Sequence, residues 1–171
     1  ALTGQIAAAK NAVGGRFNET DLIVIAAGTE DIKVAYTFGV NRDLKAKDAA
    51  DNLKAQVVSL LRDGAKHILI MQPLEFSLTP FAAKDRADAL LANPPITSIY
   101  PLSTNASPTI AFNSQLSGEL YTYVSHQGYN YNPIIFGGVA LSSTFNNMVA
   151  NAQTSLFANT TQPKCGDASA I

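Results

Sequence analysis

Residues 21–31 read DLIVIAAGTED, and the fold turns on them. The segment 21–27 is an apolar run rich in Ile and Val, which suits a strand covered on both faces. A tight turn at Gly28 follows, and the stretch ends on two adjacent carboxylates, Glu30 and Asp31. Two further strands have the same character: KHILIMQP (66–73), stopped by Pro73, and NPIIFGG (132–138).

Helical periodicity fills the intervals. Leu2, Ile6, Ala9 and Val13 recur three or four apart over residues 2–13. Residues 46–63 carry the clearest stripe, made of Ala46, Ala49, Ala50, Leu53, Val57, Leu60 and Leu61, and Gly64 supplies the stop. Shorter helices are expected over 80–92 and 141–152. A longer one is expected over 107–126, with Phe112, Leu116, Leu120 and Val124 at steps of four. The Pro-punctuated segment 93–108 reads as a loop, and the tail after residue 160 as irregular.

Strands alternating with helices imply an α/β fold of three layers, α/β/α, with a mainly parallel sheet and right-handed crossovers. Ligands of such sheets sit beyond the carboxyl ends of the strands. That directs attention to Gly28–Asp31, Gln72–Phe76 and Gly137–Ala140.

Composition narrows the function classes. The chain of 171 residues is expected to form one domain, and chains of this size hide roughly 70% of their unfolded surface. A net charge of −1 with scattered Lys and Arg gives no basic face for nucleic acid. The longest apolar run is too short to span a bilayer, and the start ALTGQIAAAK has no signal-peptide pattern. Cys165 is the single cysteine, so no internal disulfide forms. Three Asn-x-Ser/Thr triplets, at Asn18, Asn105 and Asn159, read as chance in an Asn- and Thr-rich chain. No motif calls for a cofactor.

The order of segments resembles that of GDSL (SGNH-type) esterases and lipases, above all the secreted phospholipase and autotransporter-esterase branch. DLIVIAAGTEDI resembles the family block that ends in Gly-x-Asn-Asp. LKAQVVSLLRDGAKHILIMQPLEFSLTPFA, AFNSQLSGELYTY and FNNMVANAQTSLFANTTQPKC are similar to the segments that follow it. The resemblance implies an SGNH-hydrolase-like, flavodoxin-like fold, here without its first strand and last helix, so that the domain is incomplete. It implies a secreted or cell-surface protein acting on small-molecule or lipid esters, and a partner chain segment that completes the fold.

Family catalysis implies a serine nucleophile, a histidine base and an aspartate that orients it. The oxyanion hole uses the serine N–H, a glycine N–H and the Asn side chain. Within this sequence only the Gly-x-Asn-Asp block is covered: Gly28 and Asp31 match it, and Glu30 stands at the Asn position. An ionised glutamate donates no hydrogen bond, and losing one oxyanion donor costs about 10²–10³ in rate. Its charge would add about 4 kcal/mol of repulsion at roughly 4 Å and an effective dielectric near 20. The chain by itself is therefore expected to be inactive, and a non-catalytic binding module built on the same fold is the alternative.

Other candidates have plainer readings. His67 opens a strand and reads as a packed or edge histidine; His126 ends a helix, where the negative dipole end favours it. Ser77 reads as a loop serine with no adjacent base. Glu30, Asp31, Glu75 and Asp43 are a thin set for Mg²⁺ or Ca²⁺, and Asp31 is better explained as a loop-holding residue. Gly137-Gly138 reads as a turn, since no phosphate-loop pattern surrounds it.

Overall fold

The computed structural model describes residues 2–37, 41–91, 107–129 and 132–137. Three strands, β1 (Leu22–Ala26), β2 (His67–Met71) and β3 (Ile134–Gly137), form one parallel sheet in the order β1-β2-β3. Ile23 stands beside Ile68 and Ile25 beside Ile70, while Ile68 and Ile70 meet Ile134 and Phe136 on the other side. The α/β class with a parallel sheet is thus the observed architecture.

Among the described residues five helices accompany the strands: α1 (Leu2–Ala12), α2 (Thr29–Thr37), α3 (Arg42–Arg62), α4 (Pro80–Leu91) and α5 (Pro108–Gln127). A 3-10 turn, Phe76–Leu78, leads into α4. The stripe read from the sequence is buried in α3 from Ala46 to Leu61, apart from half-buried Ala49. Gly64, at φ +98°, takes the left-handed conformation that closes this helix, and the Ala65 N–H donates to Leu60 O at 3.0 Å. Helix α5 begins as its sequence prescribes, with Ser107 accepting from the Ile110 N–H at 3.1 Å and Pro108 in the first turn.

Helices α3 and α5 run in the same direction, tied by Lys54 to Glu119 at 2.5 Å and by Gln115 to Asp51 at 3.0 Å. Their apolar stripes and the Ile-rich sheet face form one core with Phe112, Leu116, Leu120, Val57 and Leu60. Each fully buried Leu or Ile side chain contributes roughly 1.5–3 kcal/mol there.

The opposite sheet face departs from expectation. The run 21–27 does not make a strand covered on both faces: Leu22, Val24 and Ile135 are exposed by 60%, 57% and 60%. Continuous apolarity reports a strand able to be buried twice, whereas burial itself depends on a second layer, which the described residues do not place over these side chains.

Helix α2 was not foreseen. Residues 29–31 read as a turn, yet Glu30 and Asp31 occupy the first turn of this helix, with Ile32, Ala35 and Tyr36 buried below. Acidic residues at a helix start are favourable because the first N–H groups carry partial positive charge. The expected helix 141–152, Gly138–Ala140, Cys165, Asn105 and Asn159 lie outside the described residues.

Candidate functional site

Gly28 links β1 to α2 and accepts the first helical hydrogen bond, from the Ile32 N–H at 2.9 Å. Its φ of +105° suits glycine, and a Cβ built there would lie 2.5 Å from the Phe112 ring. The ring is fully buried. The Gly28 backbone therefore sits directly on Phe112, and α5 is fastened to the carboxyl end of β1. The neighbouring Asn113 Nδ2 reaches Pro73 O at 3.5 Å, while its Oδ1 is buried without a partner. Three separate sequence segments, at Gly28, Pro73 and Phe112-Asn113, thus converge at the carboxyl ends of β1 and β2.

Glu30 does not enter a closed site. Its side chain is 82% exposed and pairs with Lys33 at 3.8 Å. Water at such an exposed position screens much of the repulsion expected from the sequence. The missing donor remains missing. Asp31 is exposed too, and it does not hold a loop; it stands in the first turn of α2 and lines a cavity of about 350 Å³ with Gly28, Asn52, Gln56, Leu53 and Phe112.

A second polar group sits at the end of β2, and the sequence offers its centre, Glu75, only as a member of a thin metal-ligand set. Glu75 is 7% exposed. Its Oε1 accepts from the Tyr36 hydroxyl at 3.2 Å and the Ser77 N–H at 3.1 Å, and its Oε2 from the Ser107 hydroxyl at 2.6 Å. Thr109 Oγ1 accepts from the Phe76 N–H at 3.1 Å beside it. Ser77 is consequently no loop serine but a buried member of this cluster. One carboxyl group ties α2, the 3-10 turn and the start of α5 together through neutral donors.

The only early signal was the position of Gln72–Phe76 after the second strand. Tyr36 lies 39 residues from Glu75, so nothing local could pair them. With Glu75 committed to these bonds, it does not gather with Asp43, Glu30 or Asp31. No group of three metal-binding side chains occurs among the described residues.

Burial, then the Glu75 charge, pushes the Tyr36 hydroxyl up to about 12 from 10.0; hydrogen bonds from Ser77 and Ser107 act the other way. A folded-state value raised above the unfolded one means that the folded chain holds this proton longer. Its stabilisation is complete below pH 10, declines between about 10 and 12, and is lost above that window. The slope is at most about 1.4 kcal/mol per pH unit. Urea titrations at several alkaline pH values, compared with Tyr36→Phe, should show an extra loss only in the parent chain.

Neither histidine joins either cluster. His67 is exposed at the first position of β2, at the opposite end of the sheet. His126 lies in the last turn of α5, its Nδ1 2.7 Å from Thr122 O.

No family model matches the sequence, and no curated protein matches it. No described helix is long and apolar enough to cross a membrane.

Proposed function

We propose that this chain is the central part of a GDSL-type (SGNH) ester-hydrolase domain, of three-layer α/β/α architecture, and that it does not catalyse by itself. The observation that carries the reading is the convergence just described. The segments GTED, MQP and AFN, each chosen for its resemblance to that family, meet at the end of the parallel sheet where ligands bind. A secreted or cell-surface setting and an ester substrate, small or lipid, belong to the same proposal.

The sheet edge supports the further reading that another chain segment completes the domain. Helix α1 runs the same way as α3: Leu2 and Thr3 line the cavity at the carboxyl end of β1, and Lys10 pairs with Asp63 at 2.8 Å at the other end. Leu2 and Ile6 pack against the same core as α3 and α5. A helix with that direction, on that face and leading into a parallel strand, fits the crossover of a right-handed βαβ unit. The strand it crosses from would lie along the free edge of β1. A groove of about 580 Å³ runs there between α1 and β1, floored by Phe17 and Leu60. An apolar edge left unpaired by the described residues is otherwise an aggregation hazard.

In this reading Glu30 occupies the oxyanion-donor position, and the serine and histidine come from outside these residues. The second reading is a binding module. The Glu30–Lys33 pair favours it, because an ion-paired surface carboxylate stands where the family pattern has a hydrogen-bond donor.

A serine-directed phosphonate should leave the intact mass of the 171-residue chain unchanged. A stoichiometric adduct would show an activated serine and overturn the reading. In a longer polypeptide that hydrolyses esters, Glu30→Asn should raise the rate by about 10²-fold, the lower end of what one oxyanion donor contributes. A slower variant would remove Glu30 from the oxyanion position.

A further inference from the structure

We propose that the cavity beside Gly28 binds a small organic cation, an ammonium group on a short apolar body. This does not depend on the esterase reading. At about 350 Å³ the cavity falls within the roughly 300–1,000 Å³ of small-molecule sites. Its lining divides by chemistry: half-buried Leu2, Ala27 and Ala49 offer apolar surface above a floor closed by Leu53 and Phe112, whereas Asp31 and Asn52 are exposed. A ligand therefore enters apolar end first and leaves its polar group near the carboxylate and the amides of Asn52 and Gln56.

Charge selects the sign. The two carboxylates at the start of α2 differ, since Glu30 is matched by Lys33 and no cation among the described residues pairs with Asp31. An anionic ligand would meet the Asp31 carboxylate. It would also find the positive end of α2 already faced by two acids in the first turn. A cation gains a partner there at no such cost. The amide oxygens of Asn52 and Gln56 can accept the remaining ammonium protons.

Three probes of one shape, benzylamine, benzyl alcohol and benzoate, separate the possibilities. Titrated into the isotope-labelled chain and followed by two-dimensional NMR, benzylamine should give saturable shifts at Gly28, Asp31, Asn52 and Leu53. Benzyl alcohol should bind roughly two- to fivefold more weakly, as expected for a partly solvated ion pair, and benzoate more weakly still. Asp31→Asn should bring benzylamine down to the level of benzyl alcohol, with its dispersed spectrum showing that the fold is kept. Equal affinities for the three, no saturable shifts, shifts confined to other residues, or an unchanged preference in Asp31→Asn would overturn the proposal.

Discussion

Glu75→Ala should lower the stability of this domain by about 3 kcal/mol, measured as a fall in the urea midpoint at constant slope. Three donors converge on this one buried carboxyl group: the Tyr36 hydroxyl, the Ser107 hydroxyl and the Ser77 N–H. Alanine removes the acceptor they share, in a place where the Phe76 ring, tilted and 5.1 Å from that of Tyr36, limits access for replacement water. An orphaned buried donor costs roughly 1–3 kcal/mol, and the three share one site, so their costs do not simply add. Tyr36→Phe removes one partner and leaves the acceptor in place, so it should cost only about 1 kcal/mol. A Glu75→Ala effect no larger than that would show that water restores the lost bonds. The cluster would then not be what joins α2 to α5.

Gly28→Ala should be comparably damaging, at about 3 kcal/mol, for two reasons that an experiment can separate. Alanine at φ +105° is strained by roughly 1–3 kcal/mol wherever it is placed. Its Cβ would also stand 2.5 Å from the Phe112 ring, and a fully buried ring in a packed core has nowhere cheap to move. Adding Phe112→Leu relieves the second cost and leaves the first. The double variant should therefore be less unstable than the sum of the two single ones, a coupling that a double-mutant cycle in urea reads directly. Strict additivity would mean that Gly28 is required only for its backbone angle.

These two positions differ in how far the sequence announces them. Gly28 follows an apolar strand and precedes a helix, so its place at the end of the sheet is legible. Its contact with Phe112, 84 positions along the chain, is not. Glu75 gives little signal, because an acid two residues after Pro73 reads as no more than a thin metal-ligand candidate until Tyr36 and Ser107 arrive beside it. The α2 helix escaped notice for a related reason. Gly-Thr-Glu-Asp has the chemistry of a turn as well as that of a helix start, and Ile32, Ala35 and Tyr36 make too short a stripe to decide between them. The exposed face of β1 was misjudged because apolarity describes what a strand tolerates and not what covers it.

The elements themselves were largely determined locally. Ile-rich apolar runs make the three strands, three- and four-residue spacing makes α3 and α5, and Ser107-Pro108 and Gly64 set their ends through backbone geometry that depends only on neighbouring residues. Partnership was decided by the tertiary structure alone. Residues far apart in the chain meet through packing, and packing is a property of the whole core. Only the assembled core could put Phe112 under Gly28, carry Tyr36 and Ser107 to Glu75, and leave Glu30 out in water while Asp31 borders a cavity.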